Sequence, residues 1–226
     1  MPSPIELVIF DCDGVLVDSE RLAIDVEVGV LHRMGVPLTR DEVVDQFMGR
    51  SQQDVTRIME EHLGRKLSPD WEDEFLPLYE KAFEELEAVP GIEAALDRIT
   101  TKICVASSGS HRKIRHSLEH TGLWPRFEGR VFSASDVACG KPAPDLFLHA
   151  AASMGTPPQE CLVVEDSRPG VEGARAAGMQ VLAYAGGGLT KIHHYDGPNT
   201  VVFHDMAELP DLVAAATAPA AAQVRS

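Results

Sequence analysis

Six short apolar runs, at 5–10, 102–106, 131–133, 161–164, 180–184 and 200–203, alternate for the most part with stretches of helical spacing. No other feature narrows the possible folds as much. Runs of this length, rich in β-branched residues, read as buried strands. Between them, Ser110 supplies a helix N-cap and Gly122 a stop. Pro144 opens a helix carrying Leu146, Phe147 and Ala150, which Gly155 ends; Pro169 opens one carrying Val171, Ala174 and Ala177, which Gly178 ends. Strand–helix alternation of this kind predicts an α/β fold, a doubly wound, Rossmann-like parallel sheet.

One stretch breaks the alternation. Between residues 18 and 86 the apolar residues recur at helical spacing in four groups: Leu22, Val26, Val30 and Leu31; Val43, Val44, Phe47 and Met48; Val55, Ile58, Met59 and Leu63; Phe75, Leu78, Tyr79, Ala82 and Phe83. Four amphipathic helices inserted after the first strand predict an all-α cap, 18–86, on a catalytic core made of 1–17 and 87–226. The linkers fall near 17–20 and 87–91. The Ala-rich tail, 214–226, is expected to fray.

With 226 residues and 44% hydrophobic content, the chain can fill a core without disulfide or metal staples. A formal net charge of −15 argues against nucleic acid and anionic membrane surfaces as partners. Cys12, Cys104, Cys139 and Cys161 have no metal-ligand spacing, and three lie in or beside apolar runs, so buried thiols are expected. Neither a leader segment nor a membrane span is legible, which predicts a cytoplasmic protein. The acidic surface suggests a monomer.

Asp11-Cys12-Asp13-Gly14 directly follows the first apolar run. Residues i and i+2 of a strand point the same way, so Asp11 and Asp13 share one side and Cys12 points away. Gly14 lets the chain turn. Two carboxylates this close favour a neighbouring cation, and a carboxylate pair with a hard cation suits phosphoryl transfer. Further polar residues fall at other strand ends: Ser107 and Ser108 after 102–106, and Glu165 and Asp166 after 161–164. Lys141 lies in a loop closing onto a helix. Ligands of open α/β sheets bind outside the carboxyl ends of the strands, so these segments converge on one crevice. Alone, each motif has other readings. Asp-x-Asp also marks glycosyltransferase metal sites, a strand-end Asp marks receiver domains, Glu165-Asp166 could complement a helix dipole, and Lys141 could be a solvated loop lysine. Their joint placement favours the crevice.

The set formed by residues 11–20, Ser107, Lys141-Pro142 and Glu165-Asp166-Ser167 resembles the haloacid dehalogenase superfamily. It is most similar to the phosphatase branch with a helical cap, which includes β-phosphoglucomutase-like enzymes and sugar-phosphate phosphatases. The resemblance implies that Asp11 is the nucleophile and forms an aspartyl-phosphate, and that Asp13 is the general acid and base. It implies Mg²⁺ held by Asp11, the Asp13 carbonyl and Asp166, with Glu165 bound directly or through water. Ser107, Lys141 and backbone N–H groups of Cys12, Asp13 and Ser108 would hold phosphoryl oxygens. The expected substrate is a small phosphate ester of a sugar or polyol. Gly49-Arg50 would reach it from the cap.

The alternative within the resemblance is a phosphoglucomutase-like isomerase. Those mutases carry a histidine twelve residues after the nucleophile, where this chain has Ala23, which favours hydrolysis. Asp13 argues against the metal-free dehalogenases and the phosphonate hydrolases, which lack that aspartate. Gly186-Gly187-Gly188 lacks dinucleotide-binding spacing. His193-His194 reads as a solvated pair, and His111 and Arg112 as solvated residues at a helix start.

Overall fold

The computed structural model describes residues 4–47, 50–187 and 195–218. Six strands form one sheet: β1 Leu7–Phe10, β2 Lys102–Ser107, β3 Val131–Ser133, β4 Cys161–Glu165, β5 Gln180–Tyr184 and β6 Thr200–Phe203. Their order is β3-β2-β1-β4-β5-β6 and each neighbouring pair is parallel. The expected doubly wound sheet is therefore present. β1 begins at Leu7 rather than residue 5 because its neighbour begins at Cys161, which pairs with Leu7. Ser107 and Glu165 turn out to be the last residues of their strands, paired with Ser133 and Ala183.

Alternation along the strands builds two cores. Val8, Phe10, Val105, Leu162 and Val164 face one side. There they meet α5 (Ile92–Arg98), α6 (His111–His120) and α10 (Leu209–Thr217) through Ile92, Leu96, Ile114, Leu118, Leu209 and Val213. Leu7, Ile9, Cys104, Ala106 and Val163 face the other side. They pack on α8 (Asp145–Ser153) and α9 (Arg168–Ala176) through Leu146, Phe147, Ala150, Val171 and Ala174. A sheet covered on both faces needs strands apolar at successive positions, which is the pattern of β1. A short helix, α7 (Trp124–Phe127), leads into β3.

Four helices separate β1 from α5: α1 Glu20–Arg33, α2 Arg40–Phe47, α3 Gln52–Leu63 and α4 Leu76–Phe83. Helices α1, α2 and α3, with the turn between α1 and α2, enclose a third apolar cluster of Leu31, Val36, Leu38, Val43, Phe47 and Met59, whereas Phe83 of α4 packs on the first core. The two chain crossings run side by side: Asp18 N–H donates to the Glu87 carbonyl at 2.9 Å and Val89 N–H to the Leu16 carbonyl at 3.0 Å.

The tail is more ordered than its composition suggests. Residues 214–217 complete α10, which buries Leu209 and Val213 against the sheet and follows directly on a 3-10 turn, Met206–Glu208, that the Asp205–Glu208 capping box starts. Residues 219–226 lie outside the described residues, as do Met48, Gly49, Gly188, His193 and His194. Cys12, Cys104 and Cys161 are buried free thiols and Cys139 is exposed. Among the described residues no helix is long and apolar enough to cross a membrane.

Candidate active site

The strand order reverses direction between β1 and β4, the place where such sheets leave a crevice. Asp11 follows β1 and stays in its ladder, its N–H donating to the Val164 carbonyl at 3.0 Å. Its carboxyl is thereby set beside Glu165 and Asp166. The chain then turns tightly. Leu16 and Val17 N–H groups both donate to the Cys12 carbonyl, and Gly14 takes φ 81°, a conformation that disfavours any side chain. Cys12 points into the apolar cluster under α5 and α6, as the alternation requires. Burial, then the charges of Asp13 and Asp11, push its thiol well above the usual range.

Lys141 is a buried charge, 1% exposed. Its Nζ donates to Asp11 Oδ1 and Glu165 Oε1, both at 2.7 Å. The Phe147 ring lies 5.1 Å away. Burial alone would lower its pKa, but the two carboxylates hold it above the ordinary lysine value. Glu165 has its other oxygen occupied as well: Oε2 accepts from the Ser167 N–H at 2.7 Å and the Ser167 hydroxyl at 2.9 Å. Ser167 in turn caps α9, its Oγ accepting from Gly170 N–H. Gly170 is required here, since a Cβ would sit 1.7 Å from Glu165 Oε1.

Asp11, Glu165 and Asp166 are all buried, and one carboxylate oxygen of each lies within 4.8 Å of the others. Tyr195, itself buried, donates its hydroxyl to the Asp166 carbonyl. Lys141 bonds two of these three carboxylates. Burial, followed by the charges of Glu165 and Asp13, pushes the Asp11 carboxyl up to about 7 despite Lys141. A hard divalent cation fits this donor set, which is all oxygen and carries more negative charge than Lys141 balances.

Asp13 stands outside that triad. Its Oδ1 accepts from the Ser19 hydroxyl at 2.5 Å and its Oδ2 from Lys113 Nζ at 3.1 Å. Burial opposes ionisation of this carboxyl, but Lys113 and the Ser19 hydrogen bond outweigh it and hold the pKa below the usual value. The two aspartates, alike in the sequence, therefore shift in opposite directions.

The remaining expected residues separate. Ser107 is buried at the end of β2, its Oγ accepting from Gly109 N–H at 3.1 Å, and Ser108 beside it is half-buried. Arg50 donates from Nε to the Gln46 carbonyl at 2.7 Å. It lines a cavity of about 490 Å³ together with Asp45, Gln46, Arg57, Ile58, Glu61 and His62. None of the strand-end groups lines that cavity. Its neighbour Ser51 does reach the sheet side, where a Cβ on Gly140 would lie 3.0 Å from the Ser51 Cβ. His111 is not simply solvated but meets Asp136 at 2.8 Å.

Four residues of this site carried no role in the sequence reading: Lys113, Ser19, Ser167 and Tyr195. For Lys113 a signal existed. It lies three residues after the Ser110 cap, and helical side chains lean back toward the helix start, here toward the strand ends. Tyr195 left no local signal.

The sequence profile of the haloacid dehalogenase-like hydrolases matches residues 5–178. The chain is 33% identical over 213 residues to 6-phosphogluconate phosphatase of Escherichia coli (strain K12), covering 93% of this chain and 95% of that protein. It is 32% identical over 181 residues to the phosphorylated carbohydrates phosphatase of Thermotoga maritima, covering 78% of this chain and 83% of that one. Among solved structures, a haloacid dehalogenase-like protein of unknown function from Agrobacterium tumefaciens str. C58 is 37% identical, with a TM-score of 0.76 over 93% of this chain and 98% of that one.

Proposed function

The chain belongs to the haloacid dehalogenase-like hydrolases and is a phosphoric monoester hydrolase, and we propose that it cleaves a small sugar or polyol phosphate through an aspartyl-phosphate on Asp11. The observation that carries this reading is the contrast between the two aspartates. Asp11 lies in the buried triad against Lys141, whereas Asp13 is held apart by Ser19 and Lys113.

In this reading Asp11 attacks phosphorus while Asp13 protonates the leaving oxygen. Asp13 then takes a proton from the water that opens the aspartyl-phosphate. Lys141 fixes the Asp11 carboxyl and, with Ser107 Oγ and the N–H groups of Cys12, Asp13 and Ser108, offers donors to the equatorial phosphoryl oxygens. Asp11, Asp166 and the Asp13 carbonyl would hold Mg²⁺, with Glu165 acting through water because Lys141 and Ser167 already occupy its oxygens. The cation would neutralise charge on the phosphoryl group and favour the ionised form of Asp11. Residues 18–86 form the cap of this enzyme, and 1–17 with 87–226 its catalytic core; Gly49 and Arg50 belong to the substrate side of the cap. A monomer in the cytoplasm completes the reading.

Phosphate release from a panel of phosphorylated sugars, polyols and sugar acids tests it, with 6-phosphogluconate included because of the Escherichia coli relative. Turnover should stop with chelator, return with Mg²⁺, and be abolished in Asp11→Asn. Full turnover in metal-free buffer, or by Asp11→Asn, would remove the mechanism. Conversion of β-glucose 1-phosphate to glucose 6-phosphate would favour the mutase alternative instead; Ala23 motivates the opposite expectation.

A further inference from the structure

We propose that Lys113 is a positioning residue for Asp13, tying the aim of that carboxyl to the seating of α1 and α4; the inference rests on the acid–base reading of Asp13. Both oxygens of the Asp13 carboxyl are held, and by different parts of the chain. Oδ1 accepts from Ser19, the residue that precedes α1. Oδ2 accepts from Lys113, in the first turn of α6. The Lys113 ammonium also lies 5.7 Å from the ring of Phe83, the last residue of α4. Glu27, two turns into α1, interacts electrostatically with both Lys113 and Asp13. One cation thus meets the acid–base carboxyl from the sheet side and two residues of the inserted helices from the other.

The chemistry suits that post. An ammonium has three donors and no preferred plane, so it can bond Asp13 and still rest against an aromatic face. Its side chain is 43% exposed, so the ion pair contributes little to folding. Its consequence is orientation. A carboxyl that must deliver one proton along one line loses rate when it is free to rotate. With Oδ2 held by Lys113, Oδ1 is the oxygen that exchanges Ser19 for the leaving oxygen. There Oδ1 carries the proton that Asp13 took from the water opening the aspartyl-phosphate of the preceding turnover, and that Oδ1–H bond breaks as the new O–H bond of the alcohol forms. Because Lys113 favours the ionised carboxyl, its part in this step is aim and not acidity. Displacement of α1 or α4 would move Glu27 or Phe83 away from Lys113 and so loosen the aim of Asp13.

The test compares wild type, Lys113→Met, Lys113→Arg, Phe83→Leu and Asp13→Asn on an alkyl phosphate and on p-nitrophenyl phosphate. Nitrophenolate needs little protonation to depart, so a fault in acid delivery shows on the alkyl ester. Lys113→Met should lower kcat roughly 10- to 100-fold on the alkyl phosphate, the scale of one charge-assisted hydrogen bond. KM should stay within about twofold, and the loss on p-nitrophenyl phosphate should be much smaller. Lys113→Arg should restore most of the rate, and Phe83→Leu should show the same selective loss in weaker form. Equal losses on both substrates, a rise in KM alone, or an arginine variant no better than methionine would overturn the proposal. If Asp13→Asn shows no dependence on the leaving group, the acid–base reading itself fails. If Asp13→Asn shows it and Lys113→Met does not, only the role of Lys113 fails. Should Lys113→Met not fold, the arginine and Phe83→Leu variants carry the same comparison.

Discussion

The strand ends of the sheet and the four inserted helices solve the problem of charge in opposite ways. At the strand ends, Asp11, Glu165 and Lys141 are buried together, and the carboxylates are braced by Lys141, by Ser167 and by a glycine that leaves room for Glu165. In the insertion the ion pairs lie outside: Arg40–Asp25, Arg57–Glu61 and Lys66–Glu60 each have at least one half-exposed partner. Its apolar cluster, from Leu31 to Met59, is small beside the two that sandwich the sheet. Buried charge needs rigid partners, because an uncompensated ion in a low-dielectric interior is costly. Chemistry that depends on such charge therefore belongs on the sheet. A helical unit with exposed charges and a thin core can change its surface without disturbing the reacting groups, which is what substrate selection requires.

The largest expected effect breaks the braced side. Lys141→Met leaves Asp11 and Glu165 facing each other without their cation. Removing one partner of a buried pair costs about 3–5 kcal/mol, so a severe drop in melting temperature should accompany loss of turnover. A variant as stable as wild type would mean that the strand-end charges are not coupled as the geometry indicates.

A smaller effect comes from the other side. Met59 is fully buried in the cluster of the insertion. Met59→Ala should cost about 2–5 kcal/mol of local packing. If the insertion holds substrate rather than reacting groups, KM for a bulky phosphate ester should rise more than kcat falls, and p-nitrophenyl phosphate should be affected less. A pure kcat loss, equal on both substrates, would erase the division of labour.

The smallest effect concerns Glu72, between α3 and α4. Burial, then the charge of Asp73, pushes its carboxyl up to about 7. Its folded pKa lies above the unfolded value, so the protonated form is the one that folding favours. Its contribution is then fully present below about pH 4.5 and is lost as the pH rises through about 7. Glu72→Gln should melt on the order of 2–4 °C higher than wild type at about pH 8 and nearly equal to it at about pH 4.5. An unchanged difference across that range would place Glu72 in water, on the same footing as the exposed pairs.

Much of this protein was legible before any coordinates. Strand positions followed from short apolar runs, helix starts at Ser110 and Pro144 from capping chemistry, and the placement of Asp11, Ser107 and Glu165 from their position at strand ends. The fraying expected from residue 214 onward fails over 214–217, because composition alone does not show that the helix they complete is anchored to the sheet through Leu209 and Val213. Arg50 was expected to reach substrate from the cap; its side chain bonds the Gln46 carbonyl beside a cavity of the inserted helices, a contact that the turn chemistry of Gly49 does not specify.

The sequence alone determined what is local: the period of each run, the residues that start and stop helices, and the polar groups left where strands end. Such preferences act over a few residues and survive without knowledge of what packs against them. Tertiary structure alone decided which oxygen meets which donor. Lys141 lies 130 positions from Asp11 and Lys113 lies 100 positions from Asp13, and no pattern within either segment selects that partner. Those pairings arise when β1, β4, α6 and the loop before α8 are brought to one edge of the sheet. They give two aspartates only two residues apart opposite shifts in acidity, because burial, Glu165 and Asp13 raise Asp11 while Lys113 and Ser19 lower Asp13.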